Sequence, residues 1–407
     1  MKIALFTAGV LPVPATKGGA VENLVQMLIE ENEKNNCAQF TITSIYDESA
    51  ATASVEYTHS DIYFVKPPLF IKRLDSILYK LMKLILPAKA ISFRMIFSRL
   101  WFIKKSKDFF LQCNFDFIIA ENHPSLFLVM KDRKMQKQYG NKFFYHAHNE
   151  PNGSFGCRKQ INQCPRILTV SKFISNSWQK EYKEGIAKYI FVPNGIDINM
   201  FSQKLSSMDK LALCRRLGIA PNDFVILFAG RLVEGKGILH LAKVFSRIQV
   251  KEKKLLIVGS PFFGSEEKSP FQEQLEQTLD SCRDKVVFTG YIPYSEMWKY
   301  YKISSVACFV PIWNEAALLT NIEAQASSLS VVTTISGGIP EYLNPQSQIL
   351  LPIDENLEQN LLDKLMWLYE NPKICQEIGR KNCEFAQQFS MKNFYINFLK
   401  SLENTHE

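Results

Sequence analysis

Short apolar segments rich in β-branched and aromatic residues alternate with longer segments of helical periodicity along almost the whole chain. Strands this apolar are typical of parallel sheets that helices cover on both faces. The alternation breaks between 197 and 222, where polar and charged residues precede a fresh strand. We therefore predict an α/β fold of two Rossmann-like, doubly wound parallel-sheet domains. The predicted strands are 2–7, 40–46, 61–65, 115–120, 142–148, 166–170 and 189–193, then 224–230, 254–259, 285–290, 305–310 and 331–335.

The same break sets the predicted domain boundary. The N-terminal domain spans 1–198 and the C-terminal domain spans 199–384. A last helical pattern, from about 381 to 402, places four phenylalanines on one side of a helix. Such a side needs a partner surface, so we predict that 385–407 crosses back and completes the first domain.

The composition is that of an ordinary globular protein. The 407 residues are 46% hydrophobic and 22% charged, which excludes disordered and fibrous classes. No apolar run reaches the roughly 18 residues of a membrane-spanning helix, and the start of the chain lacks a signal-peptide core. The nine cysteines include no C-x-x-C pair, so we interpret them as reduced thiols. These features predict a cytoplasmic protein.

Positive charge is concentrated in one segment. Lys and Arg exceed Asp and Glu by eight over the chain, and 66–108 alone has eleven basic and two acidic residues. Apolar residues recur there at spacings of three and four, which predicts basic amphipathic helices. Two interpretations remain open: a core-facing stripe with a solvated basic face, or a surface that lies on an anionic membrane. No nucleic-acid partner is expected, because no nucleic-acid-binding motif accompanies the charge.

Ligands of doubly wound sheets bind at the carboxyl ends of strands, where loops enter helices. Gly18 and Gly19 follow the first strand, and their backbone can approach an anion at the start of the next helix. A plain turn is the alternative interpretation of this pair. The missing G-x-G-x-x-G pattern disfavours a nicotinamide or flavin cofactor.

A second loop of this kind follows the strand that opens the second domain. Its sequence, 230–237, nearly matches the phosphate loop G-x-x-x-x-G-K-[ST], but Gly237 stands where that loop needs a hydroxyl for magnesium. Arg231 and Lys236 remain, and a guanidinium with an ammonium can neutralise a diphosphate without a metal ion. The alternative is a solvated loop with charges at a helix end.

Glu315 and Glu323 stand eight residues apart on either side of a predicted helix start. A helix rises about 1.5 Å per residue, so this spacing matches the length of a nucleotide sugar. Each carboxylate can accept hydrogen bonds from a pair of hydroxyl groups, one pair on a sugar ring and the other on a ribose. Backbone N–H groups between them, at Leu318, Leu319 and Thr320, can face the phosphates.

Together these motifs resemble family 4 of the GT-B glycosyltransferases, retaining enzymes that move a sugar from a nucleotide to an acceptor. The resemblance covers nearly the whole chain, and its strength lies in the order of the motifs. They are the glycine pair, VPNGID (192–197), GRLVEGKG (230–237), VGSP (258–261), VVFTGYIP (286–293), the two glutamates and SGGIPEYL (336–343). In that family the two domains face each other across a cleft.

The resemblance implies a role for each candidate residue. Glu323 holds the nucleotide ribose, Glu315 contacts the donor sugar, and Arg231 with Lys236 binds the diphosphate. The glycine pair closes on the donor from the other domain. The co-substrate is a UDP- or GDP-sugar, and neither a cofactor nor a metal ion is required. The chain also has no D-x-D motif, the usual metal-binding signature of the other major sugar-transferase fold.

The family also places a histidine beside the donor sugar. The segment HAHNE offers His146 and His148, and His148 fits better because it comes last in its strand, whereas His146 is expected to pack within it. The chain departs from the family where Ala317 and Leu318 replace an aromatic residue and a glycine. That departure leaves the identity of the donor sugar open more than the class of donor.

The implied activity is metal-independent transfer of a sugar, with retention, to an acceptor hydroxyl. A lipid-linked saccharide or surface-polysaccharide intermediate is the favoured acceptor, because the basic segment lies in the domain that faces the acceptor in this fold. The protein would then be peripheral at the inner face of the cell membrane. Two alternatives remain: a sugar-nucleotide epimerase of the same architecture, and a non-catalytic nucleotide-sugar-binding subunit.

Overall fold

The computed structural model describes residues 1–86, 93–260 and 270–403. Parts of three predicted features lie outside these ranges: 87–92 of the basic segment, Pro261 of the VGSP motif and 404–407 of the returning segment. Within the described ranges, no helix is long and apolar enough to cross a membrane. All nine cysteines are free thiols, as the sequence predicts.

The chain forms two compact units. The first comprises Met1–Pro193 with the C-terminal segment from Phe394, and the second comprises Asn194–Asn393. The predicted boundary at 198 therefore lies a few residues inside the second unit, and the chain rejoins the first unit later than 385.

Seven strands of the first unit form one parallel sheet. They are β1 Lys2–Phe6, β2 Gln39–Ile45, β3 Ser60–Val65, β4 Phe117–Glu121, β5 Phe143–Ala147, β6 Arg166–Thr169 and β7 Lys188–Phe191. Their order in the sheet is β3-β2-β1-β4-β5-β6-β7, so all seven predicted strands are confirmed. The strand order reverses between β1 and β4, and the carboxyl ends of these two strands mark the switch point where such sheets bind ligands.

The helices of the first unit differ in how far their apolar sides are buried. Up to the end of β7 they are α1 Ala20–Asn35, α2 Glu48–Ala53, α3 Leu69–Ile85, α4 Ile96–Gln112, α5 Arg133–Tyr139, α6 Arg158–Asn162 and α7 Lys172–Glu181. In α4, Phe102 and Phe110 are fully buried, whereas α3 buries only Asp75 among its residues. Ile77 and Leu84 of α3 are 63% and 84% exposed. The core-facing interpretation of the basic segment therefore describes α4 and is wrong for α3.

The second unit has a six-stranded parallel sheet. Its strands are β8 Phe224–Ala229, β9 Lys253–Val258, β10 Val286–Gly290, β11 Val306–Phe309, β12 Ser330–Thr334 and β13 Ile349–Leu351. They stand in the order β10-β9-β8-β11-β12-β13, which confirms the five predicted strands and adds β13. The switch point of this sheet lies between β8 and β11.

The last predicted helix is broken into two. The remaining helices are α8 Ile198–Ser202, α9 Ser207–Arg216, α10 Ile238–Arg247, α11 Pro270–Thr278, α12 Tyr294–Lys302, α13 Leu319–Ala326, α14 Leu357–Glu370, α15 Pro372–Ala386 and α16 Met391–Leu402. Between α15 and α16 the backbone pairs instead with Ile196: the N–H of Ile196 donates to Phe389 O, and that of Met391 donates to Ile196 O. This long-range pairing breaks the helix and keeps both crossing segments with the second unit.

Candidate functional site

Loops after β8 and β11 bring three charged side chains together around Trp313. Lys236 Nζ lies 2.7 Å from Glu315 Oε1, and both side chains are mostly buried. Arg231 Cζ and Lys236 Nζ lie 5.9 and 5.7 Å from the centroid of the Trp313 ring, within the range of a cation–π contact. Three residues singled out in the sequence thus form one cluster at the switch point of the second sheet.

Glycine backbone shapes this cluster on both sides. Gly237 has a φ of 71°, and a Cβ there would overlap the carbonyl oxygen of Val310. The close approach of two chain segments therefore explains why a glycine occupies the position at which a phosphate loop has a hydroxyl. On the other side, the N–H of Gly338 donates to Glu315 O at 2.7 Å, which fixes the backbone of Glu315.

Glu323 lies on α13 and is buried. Tyr301 Oη donates a hydrogen bond to Glu323 Oε2 at 2.7 Å. Burial raises the pKa of Glu323 to about 7, although the bond from Tyr301 partly opposes that shift. The hydrogen bond from Tyr301 therefore holds the carboxyl group in place, and burial gives this group a pKa well above that of an exposed glutamate.

The start of α13 is open to an anion. Leu318 occupies the N-cap position, and no side chain among the described residues caps this helix. The hydroxyl of Thr320 is buried and has no hydrogen-bond partner there. The first N–H groups of a helix have no partner within it and hold partial positive charge, so Leu319 and Thr320 offer donors between Glu315 and Glu323.

The edge of the first sheet has its own cluster next to the glycine pair. Gly18 and Gly19 have φ values of 73° and 105°, a region that favours glycine, and Gly19 caps α1. In the first turn of α1, burial raises the pKa of Glu22 to about 6, and the charge of Glu121 adds to that rise. The carboxylate of Glu22 occupies the space where a side chain at position 19 would lie.

His148 is held by Glu121, which ends β4. Glu121 Oε2 lies 2.9 Å from His148 Nε2 and 3.1 Å from His146 Nδ1, and all three side chains are buried. Burial opposes the ionisation of Glu121, but the two histidines outweigh it and lower its pKa to about 2. Burial and His146 lower the pKa of His148 to about 4, so His148 is neutral and its Nε2–H donates to Glu121.

The same three residues are candidates for a metal ion. Their ligand atoms all lie within 4.8 Å of one another, and two histidines with a carboxylate are a set that transition metals accept. The hydrogen bond from His148 to Glu121 accounts for part of this geometry without an ion. The sequence-based expectation that the protein needs no metal ion stays a prediction.

Sequence reasoning missed Glu121, Glu22 and Trp313. Glu121 directly follows the predicted strand 115–120, so the rule that singled out the other candidates also applies to it. Glu22 lies in the first turn of the helix whose start the glycine pair predicts. Trp313 had no such signal, because an aromatic residue in a loop becomes informative only when cations are seen against its ring.

Known proteins resemble this chain both in the sequence of the second unit and in the overall fold. Residues 209–384 match the family described as glycosyl transferases group 1. Spore coat protein SA of Bacillus subtilis is 23% identical over 357 residues, which are 84% of this chain and 83% of that protein. A lipopolysaccharide 1,2-N-acetylglucosaminetransferase of Salmonella typhimurium is 25% identical over 229 residues, 56% of each chain.

Solved structures resemble the chain over nearly its whole length. HepE of Anabaena, crystallised in complex with UDP, has a TM-score of 0.73 at 17% identity, with 99% of each chain covered. Sucrose-phosphate synthase of Thermosynechococcus elongatus has a TM-score of 0.72 at 16% identity, with 98% of each chain covered. The chain therefore has the GT-B fold, and within it residues 209–384 match the group 1 glycosyl transferase family.

Proposed function

We propose that this protein is a family 4 enzyme that transfers a sugar from a nucleotide diphosphate sugar to an acceptor hydroxyl, with retention and without a metal ion. The observation that supports it most is the cluster of Arg231, Lys236 and Glu315 beside the uncapped start of α13. Two cations and free helix N–H groups suit a diphosphate, while Glu315 and Glu323 suit the hydroxyl groups at its two ends. A donor complex of HepE with UDP-glucose in the same fold supports this class of donor.

In this proposal the second unit stabilises the leaving group. Arg231, Lys236 and the N–H groups of Leu319 and Thr320 hold the charge that develops on the diphosphate, which is the main contribution to catalysis. The acceptor hydroxyl attacks the anomeric carbon on the face from which the diphosphate departs, and its proton passes to the leaving oxygen. Lys236 is paired with Glu315 in the free protein, so the diphosphate shares or replaces that partner.

For the first unit, the family resemblance implies Gly18, Gly19 and His148 as donor-binding residues. The glycines present their backbone at the start of α1, and His148 is neutral, so its ring can contact sugar hydroxyl groups without a charge. Ala317 and Leu318 replace the family's aromatic residue and glycine, so the family pattern does not identify the donor sugar.

The proposal is tested with a panel of UDP- and GDP-sugars. A donor should raise the melting temperature of the purified protein, because a ligand that binds only the folded state stabilises it. With the donor found, transfer should proceed unchanged in EDTA, and NMR of the product should show the anomeric configuration of the donor. Release of an altered nucleotide sugar without acceptor would indicate the epimerase, and donor binding without transfer or hydrolysis would indicate the non-catalytic subunit. The match to group 1 glycosyl transferases favours transfer over both.

We predict that donor affinity depends on the ionisation of Glu323. Ribose hydroxyl groups donate to a carboxylate, so the donor binds the ionised form, and below the pKa of about 7 its binding must displace a proton. The affinity for the nucleotide sugar should therefore fall about tenfold for each pH unit below 7 and level off above it. Calorimetric titration of the donor between pH 5.5 and about 8.5 measures this dependence.

Two variants check the assignment to Glu323. Tyr301→Phe removes the hydrogen bond that lowers the pKa of Glu323, so the midpoint of the dependence should move to higher pH. Glu323→Gln should abolish the dependence and weaken binding at all pH values. A wild-type affinity that does not change with pH would contradict a ribose role for this residue.

We propose further that α3 lies on an anionic membrane surface. Its solvent-exposed apolar stripe repeats at helical spacing and comprises Phe70, Leu74, Ile77, Leu81, Leu84 and Ile85. Exposed lysines and an arginine flank this stripe, at Lys72, Arg73, Lys80 and Lys83. On the opposite side, Asp75 accepts hydrogen bonds from the N–H groups of Phe97 and Ser98, which anchors α3 to the start of α4. An anchored helix that exposes both apolar and basic residues fits the interfacial region of an anionic bilayer.

This surface predicts salt-sensitive binding to vesicles. The protein should bind phosphatidylglycerol-containing vesicles more tightly than phosphatidylcholine vesicles, and Ile77→Asn should weaken binding about tenfold by removing apolar burial. Ile186→Asn, at an exposed position outside the stripe, is the control and should bind like the wild type. Equal affinity for neutral and anionic vesicles in a sedimentation assay would argue against the proposal.

A further inference from the structure

Arg99 extends from α4 to the carboxyl edge of the first sheet. One turn further along α4, the Phe102 ring packs directly on Gly9, in the loop that follows β1. The guanidinium of Arg99 reaches His123, two residues after the end of β4, with Nη1 2.7 Å from His123 Nε2. β1 and β4 are the neighbouring strands at which the sheet order reverses, so Arg99 lies at the switch point.

The charge of Arg99 has no counter-ion among the described residues. No carboxylate there forms an ion pair with it, and its Nε is buried without a hydrogen-bond partner. Burial lowers the pKa of Arg99, but an arginine stays charged at any physiological pH. A partly buried cation without an anion is costly in the free protein, and an anionic ligand that supplies the missing partner would relieve that cost.

His123 orients the guanidinium without neutralising it. A guanidinium has only donors, so His123 Nε2 must accept from Arg99. His123 Nδ1 lies 2.7 Å from the hydroxyl of Ser125 and 3.2 Å from the backbone N–H of Ser125, contacts that fix the ring. Burial and the charge of Arg99 lower the pKa of His123 to about 4, which keeps the ring neutral. The other Nη group of Arg99 is therefore held in a fixed direction, in which it can donate to a phosphate oxygen.

We propose that Arg99, held by His123, binds the phosphate group of an amphiphilic acceptor, an inference that rests on the proposed transferase function and names the acceptor's class. Exposed apolar side chains lie next to Arg99 along α4 and against its partner His123. Phe97 and Leu100, on either side of Arg99 in α4, are 36% and 47% exposed. The Phe155 ring, 52% exposed, lies 4.8 Å from the ring of His123.

The surroundings of Arg99 decide between a lipid and a water-soluble phosphate. His123, which contacts the guanidinium of Arg99, also packs against the exposed ring of Phe155. A phosphate at Arg99 therefore has exposed apolar surface nearby that can take a hydrocarbon chain. A water-soluble phosphate ester would gain nothing from that apolar surface. A lipid-linked phosphate would use both the cation and the apolar surface.

The test compares inorganic phosphate with decyl phosphate, kept below its micelle concentration, by calorimetric titration. The wild type should bind decyl phosphate more tightly than inorganic phosphate. Arg99→Gln should weaken the binding of both about ten- to a hundredfold, the usual effect of losing a charged hydrogen bond, and Arg99→Lys should restore part of it. Arg133→Gln, which removes an exposed arginine of α5, is the charge-matched control and should bind like the wild type.

Donor-induced stabilisation is measured on the same variants, so that failure of this proposal is distinct from failure of the transferase proposal. Arg99→Gln should keep the full stabilisation by the nucleotide sugar, which also shows that the variant is folded. Unchanged decyl phosphate binding in Arg99→Gln, or no binding by the wild type, would overturn the site. Equal wild-type affinity for the two probes would overturn the assignment of an amphiphilic acceptor and indicate a water-soluble phosphate ester. Absent donor stabilisation in the wild type would instead refute the transferase.

Discussion

Replacing Arg231 or Lys236 by alanine should lower kcat about a hundred- to a thousandfold, the effect of removing one preorganised group that stabilises transition-state charge. Both side chains lie against Trp313, and in the proposed mechanism the diphosphate, already charged in the donor, gains further negative charge as the bond to the sugar breaks. Each cation therefore contributes more in the transition state than in the bound donor. Steady-state kinetics at saturating donor and acceptor measure the loss, which should appear in kcat more than in KM.

The fold should survive these changes. Arg231 is exposed, and Lys236 makes its ion pair with Glu315 in a loop, so neither side chain supports the hydrophobic core. Lys251→Ala, at an exposed position before β9, removes the same charge outside the site and should leave kcat within about twofold. Near-normal turnover in Arg231→Ala would refute the assignment of the diphosphate site.

The fold was largely predictable because its strands are buried on both faces. Such strands appear as continuous apolar runs, and twelve of them were found without knowledge of their partners. β13 has only three residues, too few for a run to stand out. The break between α15 and α16 was not predictable, because the phenylalanine periodicity continues through it and a long-range backbone pairing with Ile196 decides it.

The candidate site was predictable where its residues directly follow strands. Arg231, Lys236 and Glu315 lie in loops that follow strands, and this placed them at one sheet edge. Pairing between elements was not predictable: Glu121 and His148 are 27 residues apart and meet because β4 is adjacent to β5. Periodicity likewise shows that a helix has an apolar stripe but not what covers it, which is why the sequence left two interpretations of the basic segment open.

His148→Ala should lower kcat about a hundredfold or more, since in the proposed donor site His148 contacts the reacting sugar, and a positioned side chain at a reacting group contributes on this scale. His59→Ala is the matched control, because His59 precedes β3 at the opposite edge of the same sheet. The dependence of kcat on pH distinguishes a neutral from a charged His148.

Because burial and His146 lower the pKa of His148 to about 4, its protonation falls below pH 5, and kcat should show no inflection from this group between about pH 5 and 8. Glu121→Gln removes an interaction that raises the pKa of His148, so it too should leave the profile flat. Its kcat should nevertheless fall about tenfold, because the amide can present its N–H₂ group instead of its oxygen to Nε2 and release the ring from one orientation. An inflection near pH 6.5 that disappears in His148→Ala would show that the ring titrates as if solvated, and would contradict the buried hydrogen bond to Glu121 as the feature that sets its state.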